Sequence, residues 1–171
     1  MIRAKTIEEE LEKLNATKEG VPGLRLTREV LRRLKTFFDK VQDLDFAVVY
    51  GSFARGDSTE TSDIDLALKF HTQTNHNKVS KIIMDLAKNL QIVEDRIDIL
   101  PLKEDLPIEL LFKIVRDGLF VTGNIESYKK FRDKTISMYL DFKLFKEKLK
   151  LGEKYLKTLT AETRPKIPKQ T

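Results

Sequence analysis

Residues 49–68 read VYGSFARGDSTETSDIDLAL, and the fold is decided by how this stretch is read. Asp63 and Asp65 stand two apart in a strand pattern that runs from Asp63 to Phe70 (DIDLALKF). Side chains alternate between the faces of a strand, so the two carboxylates share one face and Ile64 and Leu66 take the other. Adjacent carboxylates repel unless a cation or a basic partner sits between them. A third acid, Asp98, lies in another short strand pattern, Arg96 to Leu100 (RIDIL), with Ile97 and Ile99 directed away from it. If the two strands are neighbours, three carboxylates converge. Such hard oxygen ligands suit Mg2+ or Mn2+ and not zinc. Two such ions about 4 Å apart clamp the attacking and leaving oxygens of an in-line phosphoryl displacement. An EF-hand is excluded, because its loop needs alternating oxygen ligands around a central glycine, and here the acids are embedded among Ile, Leu and Ala.

Upstream, Phe46 to Tyr50 (FAVVY) is a continuous β-branched and aromatic run, read as a buried strand, and Gly51-Ser52 ends it before a helical turn at Phe53-Ala54-Arg55. Glycine lets backbone approach a phosphate, serine adds a hydroxyl donor, and a helix start adds free N–H groups. No GK[ST] follows, so this is not a Walker A loop, and it is not a GxGxxG fingerprint. Taken alone, the pair is equally an ordinary strand-to-helix turn. Arg55 reads equally as a phosphate contact and as an ion pair bracing the turn. Arg96 is expected on the face of Asp98, and the loop HTQTNHN is expected to hold His71 and His76 in solvent.

Working outward, Thr6-Ile7-Glu8-Glu9 reads as a capping box opening a helix with Ile7, Leu11 and Leu14 on one face, stopped by Gly20, Pro22 and Gly23. Thr27 caps a second helix with the stripe Leu31, Leu34, Phe38 and Val41. Asn77 to Leu90 is helical by its apolar spacing, and Pro107 opens a helix that Gly118 closes. Leu119 to Val121 reads as a short edge strand. A long helix starts at Ile125, with a break expected near Gly152. Tyr128, Tyr139 and Phe142 form a stripe for a partner or, more simply, for the core. Strands separated by helices give an α/β (α+β) fold with a small mixed sheet. The expected organisation is an N-terminal helical extension over 1–26, a catalytic domain over 27–124, a helical region over 125–160 and a basic flexible tail over 161–171.

Composition narrows the function classes. There is no cysteine among the 171 residues, which removes disulfides, thiolate zinc sites, iron–sulfur clusters and a thiol nucleophile. Two histidines are too few for a multi-histidine metal site. The net charge of +5 resides entirely in residues 146–171, where eight Lys/Arg meet three Glu. Such a tail binds nucleic acid or an acidic partner in some proteins, but a solvated lysine-rich helix end explains it as simply, so no specific nucleic-acid partner is expected. No stretch approaches the roughly 18 apolar residues of a membrane span. The N-terminus turns acidic at once, unlike a signal peptide, and a cytoplasmic location is expected.

Gly51-Ser52, ten intervening residues, Asp63-x-Asp65 and a later strand aspartate together resemble the nucleotidyltransferase superfamily related to DNA polymerase β. GSFARG (51–56) with SDIDLAL (62–68) looks like its small branch, the minimal nucleotidyltransferase (MNT) domains. ELLFKIVRDGLFVTG (109–123) and YLDFK (139–143) look like the MNT antitoxins paired with HEPN toxins. The resemblance spans roughly 27–150. It implies that Asp63, Asp65 and Asp98 hold Mg2+ or Mn2+, that Asp98 also helps deprotonate the acceptor, and that Gly51 and Ser52 grip the phosphates of ATP. It further implies transfer of AMP to a tyrosine of a partner HEPN ribonuclease toxin, which silences it. Two other readings remain: neutralisation of the toxin by binding alone, and nucleotidyl transfer to a small molecule such as an aminoglycoside.

Overall fold

The computed structural model describes residues 5–6, 27–57 and 62–162, with side chains over 27–57 and 62–152. Among the described residues five strands form one sheet: β1 (Lys5–Thr6), β2 (Leu44–Tyr50), β3 (Ile64–Phe70), β4 (Ile97–Pro101) and β5 (Leu119–Gly123), in the order β1-β5-β2-β3-β4. β2 runs antiparallel to both β3 and β5, whereas β3 and β4 are parallel. This is the small mixed sheet expected from the strand and helix pattern.

Helices cover both faces. On one side lie α1 (Arg28–Phe38) and α3 (His76–Leu90). Thr27 caps α1 by accepting from the Val30 amide at 3.2 Å, and Leu31, Leu34 and Phe38 are buried against Ala47, Val49, Leu66 and Leu68. Burying each such Leu or Phe contributes about 1.5–3 kcal/mol. On the other side α4 (Ile108–Asp117) buries Leu111 and Ile114 against Phe46, Val48, Tyr50 and Phe120. The first turns of α5 (Ile125–Glu162) join them through Tyr128, which is fully buried. The short α2 (Gly51–Arg55) closes the end of β2.

Several expectations need correction. β3 begins at Ile64, so Asp63 precedes the strand. Arg96 ends a 3-10 turn (Glu94–Arg96) and is not in β4. α3 starts at His76, because Asn75 accepts from the Lys78 amide at 2.9 Å and caps it, so His76 is not a loop residue. β5 is not an edge strand: β1 pairs with it at Leu119 and Phe120. α5 runs through Gly152 without a break, since a single glycine weakens a helix by only about 1 kcal/mol. Lys5 and Thr6 are strand within the expected helical extension, and the rest of that helix and the tail from 163 lie outside the described residues.

Candidate active site

The sheet topology brings the site together. Parallel neighbours begin at the same end of a sheet, and an antiparallel neighbour finishes there. The starts of β3 and β4 and the end of β2 therefore meet. In register, Tyr50 of β2 stands opposite Asp65, and Asp65 opposite Asp98. All three lie on the face covered by α4, since Tyr50 belongs to that cluster. Residues in register on adjacent strands are about 5 Å apart, so the row Tyr50–Asp65–Asp98 holds two carboxylates side by side.

Electrostatics follow from that packing. Burial, and next the Asp98 carboxylate, push the Asp65 carboxyl above the usual aspartate range. Asp63 adds to the rise, whereas Lys113 and Arg55 oppose it. The Tyr50 hydroxyl is pushed up to about 12 by burial and by the two aspartates, so it stays neutral. Asp98 is exposed and reachable from solvent.

Asp63 sits at the rim. Its side chain is 52% exposed, and its Oδ1 lies 3.4 Å from Arg96 Nε, at ion-pair and not hydrogen-bond geometry. Arg96 Nη2 also donates to the Ser62 carbonyl at 2.6 Å. Arg96 thus meets Asp63, which is a different contact from the expected alignment with Asp98. Among the described residues, no three carboxylate or imidazole groups are drawn tightly enough together to enclose an ion as they stand. Asp65 and Asp98 are paired, and Asp63 is beside them but turned toward Arg96.

Gly51 is where backbone meets the row. Its φ of +72° is left-handed, and a Cβ there would overlap Asp65 Oδ2 and lie 2.9 Å from Asp65 Cγ. Only glycine allows this approach. Ser52 follows on α2, half-buried. Arg55 makes the ion pairs that brace the turn: Nε lies 3.2 Å from Asp57 and Nη1 3.4 Å from Asp117. Arg116 holds the same Asp117 at 2.7 Å, and these pairings keep the Asp117 carboxyl below its ordinary range.

Two residues of this face escaped the sequence reading. Tyr50 looked like a strand residue only. Lys113 is exposed on α4, and the sequence marks it only as a residue of the helix between Pro107 and Gly118. A cavity of about 520 Å³ lies at the other end of β3 and β4, lined by Phe70, His71, Thr74 and Lys103 among others, and does not include the acid row.

Comparison with known proteins identifies the family and the fold. The family model described as Polymerase beta, Nucleotidyltransferase matches residues 32–126, which is 95 of the 171 residues. Among curated protein sequences nothing matches. A chain from a crystal structure of a toxin–antitoxin with AMP-PNP is 22% identical, covering 70% of this chain and 94% of that one, with a TM-score of 0.58. A chain from a tri-AMPylated Shewanella oneidensis HEPN toxin in complex with an MNT antitoxin is 20% identical, covering 71% and 93%, with a TM-score of 0.55. A chain from the toxin–antitoxin MntA–HepT is 19% identical, covering 72% and 95%, also at 0.55. At these identities the likeness establishes the fold.

Proposed function

The chain belongs to the polymerase β nucleotidyltransferase family, and on that premise we propose that it transfers AMP from ATP to a tyrosine hydroxyl of a partner HEPN toxin, as the antitoxin of such a pair. The observation that carries this reading is the Asp65–Asp98 pair, in register beside Gly51 and with Asp63 at its rim. Support for the partner comes from the fold neighbours, which include a complex with a tri-AMPylated toxin.

The donor set fits Mg2+ or Mn2+. All three ligands are carboxylates, and the raised Asp65 marks an excess of negative charge that a hard cation relieves. In this reading Asp63, Asp65 and Asp98 hold the ion, which supplies charge neutralisation at the transferring phosphoryl group. The chain's own groups do the rest. Gly51 admits the phosphates close to the backbone, and the Ser52 hydroxyl donates to them. Asp98, exposed on the edge strand, accepts the proton of the incoming hydroxyl. The new bond joins the acceptor oxygen to the α-phosphorus, the bond from that phosphorus to the β-phosphate oxygen breaks, and pyrophosphate leaves. Arg55 positions α2 against α4 through Asp117.

A second reading, neutralisation by binding, is favoured by one observation. Leu140, Leu144, Phe145, Leu149 and Leu151 of α5 are each more than half exposed, which is the usual mark of a protein-contact surface. One experiment separates the readings. The protein is incubated with the product of the adjacent reading frame, ATP and Mg2+, and intact masses are taken. AMP adducts on that product, absent with Asp63→Asn plus Asp65→Asn, support transfer. Suppression of the toxin by the double variant without adducts supports binding. AMP on an added aminoglycoside and none on the protein would move the acceptor to a small molecule.

A further inference from the structure

The geometry points to Lys113 as a further residue of the transfer reaction, a cation on α4 that meets the pyrophosphate half of a nucleoside triphosphate held at Gly51-Ser52. This deepens the function proposed above and rests on it. α4 packs against α2, and the rotation of α4 is fixed by Leu111 and Ile114, which are buried in the sheet face. Asp117 reaches across to Arg55 of α2. Residues four apart lie on the same side of a helix, so Lys113, one turn before Asp117, stands on the side of α4 that looks toward α2.

Lys113 is also available. Arg55 is engaged by Asp57 and Asp117, and Arg96 by Asp63 and the Ser62 carbonyl. Lys113, by contrast, makes no hydrogen bond or ion pair among the described residues. An ammonium on a flexible four-carbon stem is a mobile point charge, suited to a phosphate whose charge changes. As the acceptor oxygen bonds to the α-phosphorus, the electron pair of the breaking bond passes to pyrophosphate, and the acceptor's proton passes to Asp98. The contact with Lys113 strengthens as that charge builds, so its loss falls on kcat more than on KM.

The test uses the full chain as Lys113→Met and Lys113→Arg. Calorimetry reads tripolyphosphate binding with Mn2+, and intact mass reads the rate of AMP transfer across ATP concentrations. For Lys113→Met, kcat falls about 10- to 100-fold, as expected for one charge-assisted contact. Tripolyphosphate binds more weakly, the Tm stays close to wild type, and Lys113→Arg regains most of the rate. Lys113→Met that binds tripolyphosphate and transfers AMP within about twofold of an active wild type overturns the role of Lys113 alone. Wild-type protein that binds no tripolyphosphate overturns it together with the proposed function.

Discussion

Alanine at Gly51 probes the contact between backbone and acid row, and alanine at Gly56 is its internal control. Both glycines are left-handed, at φ +72° and +76°. A side chain there costs roughly 1–2 kcal/mol in backbone conformation. For a chain of this size that is a Tm loss of about 2–8 °C, taking about 2–4 °C per kcal/mol. The surroundings differ. A Cβ at Gly56 meets nothing within 4 Å among the described residues, so Gly56→Ala is expected to carry the conformational cost alone. A Cβ at Gly51 lies 2.9 Å from Asp65 Cγ, where ordinary contact starts at 3.4 Å, and it overlaps Oδ2. Asp65 must then retreat by 3.4 − 2.9 = 0.5 Å at Cγ and by on the order of 1 Å at Oδ2. A misplacement of about 1 Å lowers the rate about 100-fold. The expected result is AMP transfer by Gly56→Ala within about threefold of wild type, and by Gly51→Ala about 100-fold slower. Mn2+ should raise the Tm of Gly56→Ala and leave that of Gly51→Ala nearly unmoved. Equal transfer by the two variants would refute the claim that Gly51 is glycine on account of Asp65.

Other outcomes follow from the same charges. The raised carboxyl of Asp65 favours the fold fully below the ordinary aspartate pKa of about 4, and that contribution is lost as pH rises through its elevated value. Metal-free wild type should lose Tm over that window, while Asp65→Asn should not and should melt higher at neutral pH; parallel pH profiles would contradict this. Asp117 has the opposite sign. Its hydrogen bonds to Arg116 hold it low against the opposing effect of burial, so its contribution is present above about pH 4 and lost as pH falls through the depressed value. Thermal melts from pH 6 downward should show a shallower acid loss for Asp117→Asn than for wild type. Among the described residues the buried Tyr128 hydroxyl has no hydrogen-bond partner, and burial pushes it up to about 12. Tyr128→Phe should therefore equal wild type in chemical denaturation or exceed it by up to about 1–3 kcal/mol, and a clear loss of stability would reveal a partner for that oxygen.

Local chemistry was legible in the chain to the extent that it was periodic. The alternation around Asp65 and Asp98 placed each carboxylate on its strand face, and Thr27 was readable as a cap because the apolar stripe of α1 follows it. Strand order was not readable from these segments by themselves. That Asp65 and Asp98 are partners follows from the parallel pairing of β3 and β4, which needs α3 as a crossover, and the spacing of the acids states only that this arrangement is possible. The ends of elements were also misplaced where a side chain decides them. Asn75 captures the Lys78 amide and draws His76 into α3, and the 3-10 turn before β4 takes Arg96 out of strand alternation. Period two placed Arg96 on the face of Asp98, whereas it forms its ion pair with Asp63. Tyr50 and Lys113 were invisible for a different reason: each gains its meaning from a residue across the sheet or on another helix.

The charges around the acid row explain why this arrangement is tolerable without being satisfied. Three aspartates face three nearby cations, Arg55, Arg96 and Lys113. Were all three cations to pair with the row, the site would be a closed ion-pair network and would have no call for a metal or a triphosphate. They do not. Arg55 is held by Asp57 and Asp117, and Arg96 is engaged by the rim acid and by the Ser62 carbonyl. Asp65, the most hemmed in of the three, keeps a carboxyl that burial and Asp98 together disfavour in its charged form. A residual imbalance of this kind lowers the stability of the folded chain, and under the proposed function it would give a divalent cation its differential affinity for the folded state. The structural cost and the proposed binding energy are therefore two readings of one electrostatic term, and any substitution that removes the first by neutralising Asp65 must also diminish the second.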